Sequence, residues 1–394
     1  MRFLLSIAFL LISAHSVWAQ KPVPENYAAI DRKALELPQS LAQNTDQIAG
    51  YINTHFKTDL EKARAAFIWT ATNIQYDVEN MFAINFYEKK SEKIEKALQT
   101  GKGICGNYAA LFTDICIKAG VKSYVIEGYT KQNGFADYIP HAWSAARIDT
   151  SWYLFDPTWG SGYLKDGQFF RKINNNYFKV SPATFVKSHM PFDYLWQFLQ
   201  YPVTNGEFVS GKTGLDAAKP VFNFKDSLQA YERLDTIEQV AAAAYRVEKN
   251  GVRNALVFDR LRHLRAQIEN DRQTQTTTLY NTAVADFNEA IRIFNTYISF
   301  KNKQFTPAKT DREIQDILNE ADSRLKAGGE KLARITAPDA NVAALTKQLQ
   351  ASISDASKQF AEEQAWLKTY LGKDKLRRKA MFYKRVDLFG KPVN

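Results

Sequence analysis

The sequence predicts an α+β domain followed by an all-α domain, and three observations support this order. Aromatic residues are dense before about residue 225 and sparse after it. The spacing of apolar residues alternates between helical and strand-like periods in the first half, whereas it stays helical in the second half. A chain of 394 residues is also longer than one hydrophobic core usually fills, so we expect two domains.

Residues 1–19 are predicted to be a secretory signal peptide. Arg2 precedes a short apolar stretch, and the small residues around Trp18 place signal-peptidase cleavage after Ala19. No later stretch is long and apolar enough to span a membrane. We therefore expect an exported protein, periplasmic or secreted, with no transmembrane segment after cleavage.

The chain is basic, with a formal net charge of +10. A basic exported protein is attracted to anionic polymers of the cell envelope. The sequence contains no nucleic-acid-binding motif, so we predict no nucleic-acid partner. Four histidines follow the signal peptide, scattered and without the spacing of metal ligands, so we predict neither a metal nor another cofactor.

Helical patterns precede the central part of the first domain. A predicted helix over 45–56 is followed by one that begins at Thr58, with a capping box to Glu61, and ends near Tyr76. A shorter helix over 91–98 follows these two. These segments lead the chain into a glycine-rich turn.

The glycine-rich turn over 101–106 delivers Cys105 to the first turn of an apolar helix over 105–119. The second cysteine, Cys116, lies on the same predicted helix, roughly 16 Å away at the rise of an α-helix. Because a disulfide needs Cα atoms within about 7 Å, we predict two free thiols. The apolar neighbours of Cys116 indicate a small buried side chain, whereas Cys105 is a candidate nucleophile.

Strand-like periods follow over 121–129, 141–148 and 151–156. We expect the last two strands to form a hairpin whose turn is centred between Ile148 and Asp149. The predicted cross-strand pairs are His141 with Asp156, Trp143 with Leu154, and Ala145 with Trp152. These six side chains share one face, and we expect its apolar part to pack on the cysteine helix.

The remaining chain is divided by composition into an aromatic-rich cap over 181–199, a linker over 211–224 and a helical domain over 225–394. The first domain then covers 20–210. Apolar residues of the helical domain recur every three or four positions, which predicts an antiparallel bundle of long helices. The basic tail is expected to be a solvated end, with contact to an anionic surface as the alternative.

Cysteine, histidine and aspartate in this order suggest a thiol nucleophile, a base and an orienting carboxylate. The positive end of a helix and a nearby imidazolium both favour the thiolate of Cys105. Its backbone N–H is a natural donor to a developing oxyanion, and Tyr76 is a candidate second donor. His55 and His189 are rival bases, but neither has a paired acid. Each residue alone has a structural explanation, whereas together they favour a triad.

Three spaced motifs resemble the transglutaminase-like superfamily. They are residues 103–109 around Cys105, His141-Ala142-Trp143, and residues 152–159 around Asp156. Ile74-Gln75-Tyr76 is similar to the lead-in of that family. A further set of residues resembles the branch that includes kyphoscoliosis peptidase: Phe185, His189, Pro191 and Trp196-Gln197. The resemblance covers about 58–210.

The resemblance implies a papain-like α+β core of helices on a small antiparallel sheet, with a triad of Cys105, His141 and Asp156. It also implies acyl transfer on amides through a thioester. We expect an exported enzyme acting on peptide, protein or cell-wall amides, with hydrolysis favoured over cross-linking because water is the default acceptor. The alternative is a catalytically inactive binding or scaffold module of the cell envelope. In either case the helical domain is a candidate surface for a protein partner.

Overall fold

The computed structural model describes residues 26–83, 85, 88–132, 135–336 and 340–382. The chain divides into two compact units. The first extends to Glu232 and also includes Arg246–Arg260, and the second contains Arg233–Tyr245 and continues from Leu261. The predicted signal peptide lies outside the described residues, as does the end of the basic tail. The domain boundaries predicted from composition stay a prediction.

The first unit is a mixture of helices and short strands. Its helices are α1 Ala28–Leu35, α2 Thr45–His55, α3 Asp59–Asn73, α4 Lys90–Thr100, α5 Cys105–Lys118, α6 Pro157–Ser161, α7 Pro182–Phe185, α8 Asn205–Val209 and α9 Phe224–Tyr231. Its strands are β1 Gln75–Tyr76, β2 Lys102–Gly103, β3 Ser123–Gln132, β4 Phe135–Ile148, β5 Ser151–Phe155, β6 Gly162–Lys165, β7 Gln168–Arg171 and β8 His189–Pro191. The predicted capping box at the start of α3 is confirmed: Thr58 and Glu61 exchange side-chain-to-backbone hydrogen bonds of 3.2 and 2.9 Å.

The central sheet of the first unit has four antiparallel strands in the order β5-β4-β3-β8. Helix α5 packs on one face of it, where Phe112 is in contact with the ring of Phe155 at 5.3 Å between centroids. The hydroxyls of Thr113 and Ser144 are 2.9 Å apart, so a buried hydrogen bond also joins helix and sheet. This sheet and α5 carry the candidate site.

The predicted register of the β4–β5 hairpin is wrong by two residues. Ile148 pairs with Ser151, and Ala145 pairs with Leu154 rather than with Trp152. The turn residues are Asp149 and Thr150, and Asp149 takes the left-handed conformation with a φ of 54°. Aspartate tolerates that conformation far better than the β-branched Ile148, which the predicted turn would have required there. Because side chains alternate with a period of two, the shift keeps the six side chains together on one face of the hairpin.

The face that packs on α5 is also opposite to the predicted one. Ala146 and Phe155 belong to the core shared with α5, whereas Trp143, Ala145 and Leu154 belong to a second core on the other side. The second core is completed by apolar side chains from elsewhere in the first unit: Ile126, Phe185, Leu195, Phe198 and Leu228. Alanine and serine on β4 let the helix approach closely, whereas the bulky Trp143 needs a wider layer.

The second unit is helical, as predicted. The helices of this part of the chain are α10 Thr236–Lys249, α11 Ala255–Asn302, α12 Asp311–Ala333, α13 Ala340–Leu371 and α14 Lys375–Ala380. Residues of α11, α12 and α13 share one apolar core, which includes Phe294, Leu318 and Phe360. Across the described residues, no helix combines the length and the apolar character that crossing a membrane requires.

Candidate active site

Cys105 is the first residue of α5 and is buried, with 9% of its surface exposed. The first N–H groups of a helix have no acceptor within the helix, so the backbone N–H of Cys105 is available to a ligand. The turn before it requires glycine at position 103, because a Cβ atom there would lie 2.6 Å from the Cβ of Asn107. The glycine-rich turn is therefore a packing requirement that fixes where the sulfur lies.

Asn107 fixes the same turn from inside the helix. Its Oδ1 accepts the backbone N–H of Ile104 at 2.9 Å, and its Nδ2 donates to the carbonyl of Lys93 at 2.9 Å. The side chain is 3% exposed, so both bonds are shielded from water. Asn107 thus ties the residue before the cysteine to helix α4.

Tyr76 is held beside this turn by a short parallel pairing of β1 with β2. The backbone N–H of Gln75 donates to Gly101 at 2.8 Å, and that of Asp77 donates to Gly103 at 2.9 Å. Burial, and then the nearby Cys105, raise the pKa of the Tyr76 phenol, so it remains a proton donor at neutral pH. Tyr76 and Cys105 line the same groove.

His141 and Asp156 meet as the sequence predicts, although they are not directly opposite each other in the sheet. The Nε2 of His141 lies 2.8 Å from Oδ2 of Asp156. Cys105 contributes to the raised pKa of His141, and the two side chains line the same groove. Because Nε2 is bound to the carboxylate, Nδ1 is the ring nitrogen left to face the thiol. The structure therefore pairs His141 with Asp156 and places Cys105 with His141 in the lining of one groove.

Asp156 is fully buried and is also the N-cap of the short helix α6. Its Oδ1 accepts the backbone N–H groups of Thr158 and Trp159 at 2.9 and 3.0 Å. The other oxygen, Oδ2, is left to face the imidazole of His141. The helix cap therefore holds Oδ1 in place, and the dipole of α6 favours the ionised carboxylate.

The electrostatics of the pair favour a charged histidine. Burial alone would lower the pKa of His141, but the negative charge of Asp156 and its hydrogen bond, with a further contribution from Cys105, raise it to about 10. Burial alone would raise the pKa of Asp156, but His141 and then His189 hold it well below its usual range. The folded protein thus stabilises an imidazolium next to the thiol.

His189 was predicted to be a rival base with no acid paired to it by strand register, and in the structure it is a buried neighbour of Asp156. Its Nε2 lies 3.2 Å from the same Oδ2 of Asp156 that binds His141. It reaches this position on β8, whose three residues pair with β3 and add the fourth strand to the sheet. A three-residue strand has no periodic signal, so only the resemblance of the surrounding residues pointed to it. The other rival, His55, is exposed on α2 and bonds to the carbonyl of Tyr51.

Cys116 is buried on α5, and burial raises the pKa of its thiol far above the ordinary value. Both cysteines are free, as predicted from their spacing. Cys116 therefore stays protonated and shielded, whereas Cys105 opens into two cavities. The contrast separates a structural thiol from a candidate nucleophile.

His141, Asp156 and His189 offer three ligand atoms within 4.8 Å of one another, which is close enough to hold a metal ion. The two imidazole nitrogens that face Oδ2 lie at hydrogen-bonding distance from it, at 2.8 and 3.2 Å. Nitrogens that donate protons to a carboxylate cannot also ligate a metal. Hydrogen bonding accounts for the arrangement, and the predicted lack of a metal stays a prediction.

Two cavities meet at Cys105, and both are lined by Cys105, Pro140 and His141. The larger, here called the main groove, has a volume of about 620 Å³. Aromatic rings supply much of its lining: Tyr76, Trp159, Tyr163, Phe169 and Tyr177. The smaller, here called the side pocket, has a volume of about 40 Å³ and includes Lys93 and Glu127 in its lining.

Comparison with known proteins gives this arrangement a family. The model of the transglutaminase-like superfamily matches residues 46–157, a segment that contains Cys105, His141 and Asp156. Residues 46–157 form a transglutaminase-like domain. The comparison confirms the fold class predicted for this part of the chain, helices packed on a small antiparallel sheet.

Relatives of this transglutaminase-like domain include two curated animal proteins. Kyphoscoliosis peptidase of Mus musculus is 36% identical over 159 residues, which cover 38% of this chain and 24% of that protein. Kyphoscoliosis peptidase of Homo sapiens is 33% identical over 171 residues, covering 41% and 25%. The chain thus spans about a quarter of the length of these relatives. A solved structure described as a crystal structure of a TGase is 19% identical over 41% of this chain and 40% of that chain, with a TM-score of 0.24.

The family match ends at Pro157, one residue after Asp156. His189 lies outside the matched segment of the transglutaminase-like domain, although it binds the same carboxylate as His141. The relatives named peptidases match a longer stretch than the family model does.

Proposed function

We propose that this protein is an exported cysteine enzyme that hydrolyses amide bonds of peptides, proteins or cell-wall material through a thioester. The observation that supports it most is that Cys105 and His141 line one groove, while the buried Asp156 binds His141. The export signal predicted at residues 1–19 supports a substrate in the periplasm or outside the cell. The similarity to proteins named peptidases favours an amide substrate.

The first step is activation of the thiol. Asp156 binds Nε2 of His141, so the proton that leaves the Cys105 thiol is held at Nδ1, and the raised pKa of His141 keeps the ring an imidazolium. The carboxylate then faces a positive ring, which is the arrangement that the raised pKa of His141 favours. The products of this step are a thiolate and an imidazolium held in contact.

The second step is acyl transfer. The thiolate attacks the amide carbonyl, and the backbone N–H of Cys105 and the Tyr76 hydroxyl donate to the developing oxyanion. As the C–N bond breaks, the imidazolium gives its proton to the leaving amine, and the acyl group stays on sulfur as a thioester. Water, deprotonated by the now neutral His141, attacks the thioester to release the acid and restore the thiol.

The sizes of the two cavities favour water as the acceptor. The main groove has room for a peptide segment, whereas the side pocket holds only about 40 Å³. A cavity of that size accommodates a few water molecules at most, because one water needs a cavity volume of about 10–15 Å³. A long amine such as a lysine side chain would have to compete with the acyl donor for the main groove.

Alkylation tests whether Cys105 is an activated nucleophile. With iodoacetamide, Cys105 is expected to react at least tenfold faster than Cys116 at pH 6, because one thiol faces an imidazolium and the other is buried in apolar surroundings. Mass spectrometry of the two peptides measures both rates in one sample, so Cys116 serves as the internal control. Equal and slow labelling of both cysteines would instead favour the catalytically inactive binding module.

The Tyr76 hydroxyl is expected to act only once an oxyanion forms. Tyr76→Phe should lower kcat by roughly 10²-fold with little change in KM, the usual cost of one oxyanion donor. Alkylation of Cys105 by iodoacetamide forms no oxyanion, so its rate in the Tyr76→Phe variant should match the rate in the wild type. Tyr163→Phe is the matched control, because it removes a hydroxyl from an exposed ring of the same groove. Equal turnover by the Tyr76 variant and the wild type would exclude this donor.

A further inference from the structure

The Oδ2 atom of Asp156 is shared by two histidines. His141 approaches it at 2.8 Å and His189 at 3.2 Å, both through Nε2. The other oxygen, Oδ1, is held by two backbone N–H groups of α6. The carboxylate thus receives two donors on each oxygen. The proposed reaction assigns a step to only one of the two histidines.

His189 is packed more tightly than a solvent-facing base. It is 1% exposed, and its ring stacks on Phe185 with 3.9 Å between centroids. The edges of Trp159 and Trp143 close two further sides at 4.7 and 5.2 Å. These rings fix the plane of the imidazole, and in that plane Nε2 faces Asp156.

The second nitrogen of His189 is also engaged. The hydroxyl of Ser188 lies 2.8 Å from Nδ1. A carboxylate accepts only, so Nε2 carries the proton and Nδ1 accepts the Ser188 hydroxyl in the neutral ring. Both residues are anchored to β3. His189 pairs with Thr130 in the sheet, and the backbone N–H of Lys131 donates to the carbonyl of Ser188 at 2.8 Å.

We propose that His189 is a positioning residue for the candidate active site. It donates from Nε2 to Oδ2 of Asp156 and so fixes the rotation of the carboxylate against Nε2 of His141. It exchanges no proton with substrate, because it lies behind Asp156, and the described residues that line the main groove and the side pocket include Ser188 but not His189. This inference rests on the proposed role of Cys105 and His141.

The loss of the His189 donor would shift the pH at which the Cys105 thiolate forms, and the direction of the shift distinguishes two roles. One role is positioning of the carboxylate, and the other is competition with His141 for its negative charge. If Oδ2 is no longer held by His189, it stabilises the His141 imidazolium less, so the Cys105 thiolate forms only at higher pH. A carboxylate relieved of a competing donor would stabilise the imidazolium more, so the thiolate would form at lower pH. Among the described residues, the titratable groups near His189 include Asp156, His141 and Tyr177, with Cys105 beyond His141.

The experiment compares His189→Phe with His189→Gln in the full chain. Phenylalanine keeps the stacking on Phe185 but cannot donate, whereas the glutamine amide can place a neutral donor near the position of Nε2. The readout is the pH at which the iodoacetamide reaction of Cys105 is half-maximal, measured peptide by peptide. We expect His189→Phe to raise this midpoint by about one pH unit, as the loss of one hydrogen bond to a charged group allows. His189→Gln should return it to within about 0.3 unit of the wild type.

The result that would overturn the proposal is an unchanged or lowered midpoint in His189→Phe, or equal midpoints in the two variants. Thermal unfolding of both variants shows whether packing alone has changed. A purely structural role predicts lower melting temperatures with unshifted midpoints. If wild-type Cys105 itself reacts only as an ordinary thiol, the proposed function fails before the comparison of variants begins, so the two failures are distinguishable.

Discussion

Cys105→Ala is expected to lose amide hydrolysis by a factor of about 10³ or more, because the variant has no atom that can form the thioester. The remaining rate would come from binding and from the oxyanion donors alone. Turnover is measured as amine released from envelope extracts, compared between variant and wild type. Acid-quenched wild-type protein should also show the mass of an acyl adduct, and Cys105→Ala should not.

Cys116→Ala is the matched control. Both substitutions remove one sulfur from helix α5, but Cys116 is fully buried within the core of the first unit. Its loss leaves a small cavity and should lower stability by about 1 kcal/mol while turnover and adduct formation continue. Hydrolysis that survives in Cys105→Ala and disappears in Cys116→Ala would remove the basis of the thioester mechanism.

The sequence was sufficient to predict that His141 and Asp156 meet, because the evidence for this pair is local. Cys105 is marked by its glycine-rich turn and by the apolar helix that follows. His141 and Asp156 lie on the same face by alternation, and alternation is unaffected by a two-residue error in register. The error itself arose at the turn, where the conformational tolerance of Asp149 decides between two equally short loops.

The tertiary arrangement was less predictable. Both faces of β4 are apolar, so the pattern could not show that Ala142 and Ser144 face α5 while Trp143 faces away. The face with small side chains packs on α5, because small side chains permit a closer approach of the helix to the sheet. Likewise, β8 is too short to have a periodic pattern, and its pairing with β3 joins segments about 60 residues apart. The second histidine on Asp156 therefore became visible only in three dimensions.

Asp156→Asn should lower turnover by roughly 10⁴-fold, the loss seen when an amide replaces the acid of a hydrolytic triad. If the amide oxygen keeps the bonds from Thr158 and Trp159, the amide nitrogen faces His141 and His189. The amide N–H groups would then face the Nε2–H of the imidazole. His141 therefore has to move its proton from Nε2 to Nδ1, and Nδ1 can no longer accept the thiol proton. Asp166→Asn is the matched control, because it makes the same charge change at an exposed hairpin turn where asparagine tolerates the positive φ of 52°.

The stability lost in Asp156→Asn should depend on pH in a way that a simple packing defect would not. The pKa of Asp156 is lower in the folded protein than in the unfolded chain. Its contribution to stability is therefore present above the unfolded pKa of about 3.9 and is lost as the pH falls below 3.9 towards the folded pKa. The pKa of His141 is raised to about 10 in the folded protein. Its contribution to stability is therefore complete below the unfolded pKa of about 6.5 and is lost as the pH rises through 10. The melting temperatures of wild type and variant should therefore differ most between about pH 4 and 6.5 and converge on either side. A difference that stays constant from pH 3 to pH 10 would mean that the buried pair is not charged in the folded protein.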